Sequence, residues 1–244
     1  MIAADSAHTA AVLFVLSLVL MLAAPLGYRL RLLSAVTALT KVVALGLALA
    51  ALAMLGAILS LATGGWQVGP GTTVMLVAIV VIGGVMVLLP LRAKAIAEKA
   101  PIRDVTTDVA NPPPLRALLS QRQAEGADDA YPGAAAAAIQ HANYPDLAPL
   151  RLEMLPAAAF ARALASAKAM GWTIVAEDAA QSRIEAYDRT LWFGFTDDVV
   201  IRLAPEAGGT RVDLRSVSRV GISDLGTNAK RIRAYMEKLK RLAG

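Results

Sequence analysis

The first residues able to do chemistry form a short acidic motif just after position 100. Asp104 and Asp108 flank Thr106 and Thr107. Carboxylate and hydroxyl oxygens are the ligands that hard divalent cations prefer, so the motif could hold such an ion. The alternative is that these side chains cap turns by hydrogen-bonding to nearby backbone groups. We favour the turn interpretation and predict no metal site and no cofactor.

A second carboxylate pair, Asp197 and Asp198, precedes a strand-like segment. Two neighbouring carboxyl groups could act as a general base. However, a turn before a strand attracts acidic residues for structural reasons, and the sequence offers no companion acid. The pair is therefore a candidate polar motif without an assigned reaction.

A third cluster lies between the last strand-like segment and the last helix: Arg215, Ser216, Ser218, Arg219, Ser223 and Asn228. Free N–H groups at a helix start, beside guanidinium groups, form a candidate site for an anion or a binding partner. Asp224 weakens this interpretation because its carboxylate can accept hydrogen bonds from the same N–H groups. The alternative is cross-strand ion pairing among Arg215, Arg202, Asp213 and Glu185.

The C-terminal helix carries a set of cations around its polar side: Lys230, Arg231, Arg233, Lys238, Lys240 and Arg241. If the helix faces the cytoplasm, these side chains could lie against anionic lipid head groups. The alternative is a solvated helix face with cations placed favourably near the C-terminal end. The sequence leaves both open.

Composition excludes several function classes. The chain has no Cys and only two His, which removes thiol catalysis, disulfides and Cys-based metal centres. Neither a G-x-S-x-G motif nor a phosphate-binding loop is present. Residues 104–224 hold eleven basic and sixteen acidic side chains, so the +5 net charge lies elsewhere in the chain. An acidic domain does not suit phosphate-backbone binding, and we expect no nucleic-acid partner.

The apolar excess predicts a membrane protein. Hydrophobic residues make up 57% of the 244 residues, and the mean hydropathy is +0.55. Three uncharged runs, Thr9–Leu26, Val42–Ala62 and Thr72–Leu91, are long enough to cross a bilayer as helices. Gly and Ala give the second run a side of small residues, which lets helix backbones approach closely. We therefore predict three transmembrane helices within residues 1–93.

The short loops predict the orientation. Lys and Arg occur in residues 27–41 and 92–99, whereas residues 1–8 and 64–71 contain neither. Basic short loops stay in the cytoplasm. We expect a protein of a bacterial inner membrane with its N-terminus outside and its C-terminal domain facing the cytoplasm. A periplasmic domain is the alternative.

Residues 94–244 predict a soluble α+β domain with two layers, in which helices pack on an antiparallel sheet. Apolar spacing and Pro156 indicate a helix that ends at Gly171, and a second helix spans Asp224–Ala243. Gly208 and Gly209 indicate a tight hairpin. The stretch 121–149, rich in Ala, Gly, Asp and Pro, is expected to be a long loop in which Ala134–Ala138 could form a helical turn. Alternating polarity predicts four strands: Trp172–Glu177, Arg183–Phe193, Asp198–Ala204 and Arg211–Ser218.

A series of separated motifs supports a family resemblance. They are, in chain order, residues 104–108 (DVTTD), 111–113 (NPP), 131–133 (YPG), 144–147 (YPDL), 184–186 (IEA), 194–198 (GFTDD), 215–219 (RSVSR) and 223–229 (SDLGTNA). Together they resemble a family known as domain of unknown function 1499 (DUF1499), and the three apolar runs in front of the domain resemble the integral-membrane branch of that family. This resemblance implies a fold and no established reaction.

Three functional hypotheses remain. The first is an integral membrane protein whose soluble domain binds a protein or lipid partner without catalysis. The second is a membrane-anchored hydrolase or transferase, which requires Asp104, Asp108, Arg215 and Arg219 to converge in one concave pocket. The third is an accessory subunit of a larger membrane complex. Membrane lipids are the expected partners in each case, with another membrane protein as a further candidate. The sequence indicates no particular small-molecule ligand.

Overall fold

A computed structural model describes the backbone of residues 2–244 and the side chains from residue 4 onward. The chain divides into two compact units. The first runs to Ala95 and includes Trp192–Gly194; the second comprises Ile96–Leu191 and Phe195–Gly244.

The first unit is helical. Three helices, Ala4–Arg29, Ala35–Ala62 and Pro70–Lys99, are long and apolar enough to cross a membrane, which confirms the predicted three-helix arrangement. A π-helical turn, Ala38–Val43, interrupts the second of them. The helices of this unit are α1 (Ile2–Arg29), α2 (Ala35–Thr37), α3 (Ala44–Ala62) and α4 (Pro70–Lys99), with a 3₁₀ turn at Gly65–Gln67.

Small residues hold the helices of the first unit together. Ala50, Ala53 and Ala57 on α3 are fully buried. A Cβ atom at Gly46 would lie 3.2 Å from the sulfur of Met21 on α1, so these two helices approach closely. Large apolar side chains point outward instead; examples are Leu45, Leu52, Leu55 and Leu59.

The second unit is built on an antiparallel sheet in the order β1-β6-β5-β4-β3, with β2 also paired to β6. The four strands predicted from alternation are confirmed as β3 to β6, and the β5–β6 hairpin turns at Gly208. The prediction for β4 extended four residues too far. The strands are β1 (Asp104–Thr106), β2 (Leu150–Leu152), β3 (Thr173–Asp178), β4 (Arg183–Arg189), β5 (Thr196–Glu206) and β6 (Gly209–Ser218).

Four helices complete this unit and confirm the α+β class: α5 (Leu119–Ala124), α6 (Ala134–Asn143), α7 (Pro156–Ala169) and α8 (Thr227–Ala243). The long loop expected over residues 121–149 is wrong in part, because α6 and most of α5 lie within it. Five consecutive alanines, 134–138, favour the helix strongly at α6. Gln140 on α6 then hydrogen-bonds to the backbone N–H and C=O of Thr106, which satisfies both groups on an edge strand.

The two faces of the sheet differ in composition, but both are buried. One face packs against α7 and α8 to form the main apolar core, in which the rings of Trp172 and Tyr235 stack 5.2 Å apart. The other face carries charged side chains, as the alternation predicted. Its charged side chains are nevertheless shielded from water: Asp198 is fully buried, and Asp104 and Arg215 are 3% and 2% exposed.

Candidate functional site

The charged face of the sheet lies beneath the chain that connects β1 to α6, which we name the cover segment (residues 109–133). Leu115 and Leu118 of this segment are buried against Val200 and Val217 of the sheet. This small apolar cluster holds the segment down and leaves the surrounding charges with little water. Charges in such a setting must be paired to be tolerated.

Asp104 and Arg215 form the first buried pair. The guanidinium Nε donates to Oδ1 at 2.9 Å and Nη2 donates to Oδ2 at 2.6 Å, a two-point geometry that fixes both side chains. The same guanidinium donates to the carbonyl oxygens of Pro113 and Asp129 in the cover segment. Burial, then the nearby Asp104 carboxylate, raises the pKa of Tyr131, whose ring lies under Arg215.

Asp198 is the centre of the second buried cluster. Its Oδ2 accepts a hydrogen bond of 2.6 Å from Arg122 of α5, and Arg219 donates to both of its oxygens. Arg219 also reaches Glu125, at 2.7 Å. Burial opposes the charge of Arg219, but the hydrogen bonds and negative charges of Asp198 and Glu125 together outweigh burial and raise the pKa of Arg219. One buried carboxylate therefore binds two guanidinium groups and joins the sheet to the cover segment, and Glu125 balances the second positive charge.

Two further charge clusters complete this face. Arg202 and Arg211 each donate to both Asp108 and Asp213, at 2.8 to 3.1 Å. Glu185 accepts from Arg183 at 2.8 Å and from the backbone N–H groups at positions 116 and 118. The cross-strand pair between Arg202 and Asp213 confirms one of the ion pairs predicted from sequence, whereas Arg215 and Glu185 have other partners.

The opposite face holds one polar cluster at the start of α8. Arg231 donates to Asp188 and Asp197 at 3.0 and 2.8 Å. Asn228 accepts from Ser216 at 2.7 Å and donates to Ser218 at 3.0 Å. These contacts join α8 to β5 and β6 through fully satisfied polar groups.

The structure separates the six residues predicted to form an anion site. Successive side chains of a strand point to opposite faces, so Arg215 and Arg219 lie on the charged face. Ser216, Ser218 and Asn228 lie on the other face, and Ser223 donates to the carbonyl of Ala100. At the helix start, Asp224 accepts from the N–H of Gly226 and Asn228. Burial raises the pKa of Asp224, although these hydrogen bonds oppose the shift. A single anion site at these six residues is therefore wrong.

The acidic motif at residues 104–108 shows the turn geometry that we favoured. Thr106 Oγ1 accepts from the N–H of Asp108, Asp108 accepts from the N–H of Asn111, and Thr107 Oγ1 accepts from the N–H of Leu214. Asp197 and Asp198 point to opposite faces and cannot act as one pair. Within residues 2–244, no group of three or more His, Asp or Glu side chains is placed to hold a metal ion.

The cations of α8 do not form one surface. Lys230, Lys240 and Arg241 are exposed, and Lys238 is half-buried. Arg233 pairs with Asp146 at 2.6 Å, and this hydrogen bond lowers the pKa of Asp146. Arg231 is 7% exposed and paired, so its prediction as a membrane-surface cation is wrong.

Sequence reasoning missed Arg122 and Arg183, which help to close the charged face. It named Glu185 only as a cross-strand ion-pair candidate and Tyr131 only within a family motif. Arg122 lies in a polar stretch with no apolar periodicity, which gave no signal of complete burial. Arg183 and Glu185 alternate with Ile184 and so could be placed on the polar face, but alternation does not reveal a cover. Arg183 Nη2 and the Tyr131 hydroxyl are buried without a hydrogen-bond partner among the described residues.

The fold and this site define a class: a protein with three apolar helices followed by an α+β domain whose sheet carries internal ion pairs on its second face. The sequence profile of a family described as "Protein of unknown function (DUF1499)" matches residues 104–239, more than half of the chain. The chain belongs to this family, as its motifs indicated. No curated protein matches the sequence.

Proposed function

We propose that this is an integral protein of a bacterial inner membrane whose C-terminal domain binds a protein or lipid partner without catalysing a reaction. One observation carries the proposal. The charged groups of the sheet are engaged with one another, whereas several large apolar side chains of the domain remain exposed. Leu191 and Ile222, in two loops at the same end of the sheet, are 93% and 79% exposed. Exposed apolar surface favours association over chemistry.

The enzymatic hypothesis has no comparable support. Asp104 binds Arg215, Asp108 binds Arg202 and Arg211, and Arg219 binds Asp198. These four candidates share a sheet face, but each carboxylate is neutralised by its own guanidinium partners. A general base or a nucleophile would need a free electron pair directed at a substrate.

Partner binding is tested by extracting the full-length protein directly into lipid nanodiscs and recording native mass spectra. We expect retained lipid or a stoichiometric protein partner. Asp198→Asn, which removes the carboxylate between two buried guanidinium groups, should weaken retention of the partner because it destabilises the domain. The control variant Asp129→Asn removes an exposed carboxylate and should retain the partner. A lone protein with no bound lipid would refute the proposal.

The proposed orientation is tested by cysteine labelling, which is clean because the chain has no native Cys. Gln67 and Gln123 are both exposed, and neither requires a left-handed backbone conformation. A membrane-impermeant maleimide added to intact cells with a permeabilised outer membrane should label Gln67→Cys. It should label Gln123→Cys only after lysis. Labelling of Gln123→Cys from outside would place the domain in the periplasm.

A further inference from the structure

One end of the sheet gathers the connection to the third apolar helix and several exposed apolar residues. At this end, which we name the tether end, β1 and β5 begin and β4 and β6 end. The register shows this directly, because Asp104 pairs with Val217, and Arg189 pairs with Thr196.

Large apolar side chains are exposed at the tether end. Leu191, just after β4, is 93% exposed. Ile222 and Leu225, between β6 and α8, are 79% and 47% exposed. At the opposite end, Leu155 and Leu242 are exposed singly. The tether end therefore presents three exposed large apolar side chains from two neighbouring loops.

The loop that presents Ile222 is held in a defined conformation. Gly221, Leu225 and Gly226 all have positive φ, and the value of +56° at Leu225 is unfavourable for a residue with a side chain. Ser223 Oγ donates to the carbonyl of Ala100 at 2.8 Å, and the N–H of Asp224 donates to the carbonyl of Ile102. The apolar loop is thus fastened to the segment that follows the third apolar helix.

That segment is short. The helix ends at Lys99 and β1 begins at Asp104. Four residues, 100–103, lie between them, and the five steps from Lys99 to Asp104 span at most about 17 Å, so β1 begins close to the end of this helix. Two exposed cations, Lys99 and Arg189, lie in sequence next to this end, and cations there are attracted to anionic head groups. The nearby Asp188 is paired with Arg231.

We propose that the tether end inserts Leu191, Ile222 and Leu225 into the interfacial region of the lipid bilayer. A lipid bilayer offers both an apolar interior for these side chains and an anionic surface for the nearby cations, and the short connection keeps the tether end within reach of it. The inference rests on the proposed membrane-spanning helices and names the lipid partner. In this arrangement the tether end is the lipid-binding surface, and the cations at the C-terminal end of α8 are not. The 17 residues of α8 run away from the tether end for about 25 Å.

The test uses single-cysteine variants of the full-length protein, spin-labelled and reconstituted in nanodiscs of phosphatidylcholine and phosphatidylglycerol. Leu191→Cys and Ile222→Cys report the tether end. Ala180→Cys, in the exposed β3–β4 turn, reports the opposite end. Leu52→Cys, on an outward-facing position of α3, reports the apolar helices. Power saturation measures the access of lipid-soluble oxygen and of a water-soluble nickel chelate to each label.

We expect the labels at positions 191 and 222 to favour oxygen, as at position 52, and the label at position 180 to favour nickel. Nickel access at 191 and 222 equal to that at 180 would overturn the inference. Protection from both reagents at 191 and 222 would mean that a second copy or a protein partner covers this end, which also overturns it. Nickel access at position 52 would instead refute the membrane-spanning helices themselves.

Discussion

The two units of this protein bury different kinds of side chain. In the helical unit, fully buried positions are small, such as Ala50 and Ala57, while leucines such as Leu52 and Leu55 point outward. In the α+β unit, charged side chains such as Asp198 and Arg122 are fully buried.

The contrast matches the proposed lipid surroundings of the first unit and aqueous surroundings of the second. Lipid is as apolar as leucine, so burying large side chains between helices gains little, and close backbone packing through small residues decides association. In water, burial of apolar surface is favourable, whereas burial of an ion is unfavourable because the ion loses its hydration. The second unit offsets that penalty only because each buried carboxylate meets a guanidinium group or several N–H donors.

The largest effect should come from breaking the most buried cluster. Asp198→Asn leaves Arg122 and Arg219 without the carboxylate that they share. Removing one partner of a buried ion pair costs about 3–5 kcal/mol. We expect a loss of this size in the free energy of unfolding, measured by hydrogen exchange of β5 and β6 amides in detergent.

The matched control is Asp129→Asn, which removes the same charge from an exposed side chain of the cover segment. It should change the free energy of unfolding by less than about 0.5 kcal/mol. Equal losses in the two variants would mean that net charge, and not the buried network, determines stability.

A second test addresses the helical unit. Ala50 is fully buried, and its carbonyl oxygen would lie 3.5 Å from a Cβ atom at Gly83 of α4. Ala50→Leu should therefore overpack the helix contact and cost about 1–3 kcal/mol, measured by unfolding in mixed micelles. Ala48→Leu adds the same side chain at an exposed position of α3 and should be nearly neutral. A larger loss of stability for Ala48→Leu than for Ala50→Leu would contradict the interpretation that position 48 faces outward into lipid.

The sequence was sufficient for the features that depend on local periodicity. Uncharged runs predicted the three apolar helices, and alternation around Val199 and Ile201 predicted the strands and their polar face. Strand alternation also explains why the predicted anion site does not form, because Arg215 and Ser216 are consecutive and their side chains point to opposite faces of the sheet. That conclusion was available from the sequence once the strand was assigned.

What the sequence could not provide was the cover over the charged face. Leu115 and Leu118 are two apolar residues in a stretch rich in Pro, Gln and Asp, with no period that indicates burial. Their contacts with Val200 and Val217 join positions that are 82 to 102 residues apart in the sequence. Such pairing depends on tertiary packing, which local patterns do not encode.

A third, smaller effect should come from a buried polar group without charge. The Tyr235 hydroxyl donates to the carbonyl of Ala163 at 3.0 Å, and burial raises the pKa of Tyr235. Tyr235→Phe keeps the ring stacked on Trp172 and loses one neutral hydrogen bond, which should cost about 0.5–1.5 kcal/mol. Tyr144→Phe, at a half-buried position, is the control, and hydrogen exchange of α8 amides is the measurement. A loss as large as that of Asp198→Asn would remove the distinction between buried charge and buried polarity.

The smallest effect belongs to an exposed ion pair in the same unit. Asp146 and Arg233 are 2.6 Å apart, with side chains 54% and 40% exposed. The hydrogen bond from Arg233 lowers the pKa of Asp146 below its ordinary value of 3.8. The pair therefore stabilises the folded state above about pH 3.8 and loses this contribution as the pH falls through the lowered pKa. Because water screens the pair, Asp146→Asn should cost less than about 1 kcal/mol at pH 7, and less still at pH 2 or in 1 M salt. Urea unfolding at both pH values checks this, and a cost that persisted in salt would show that exposed and buried pairs in this domain are not energetically distinct.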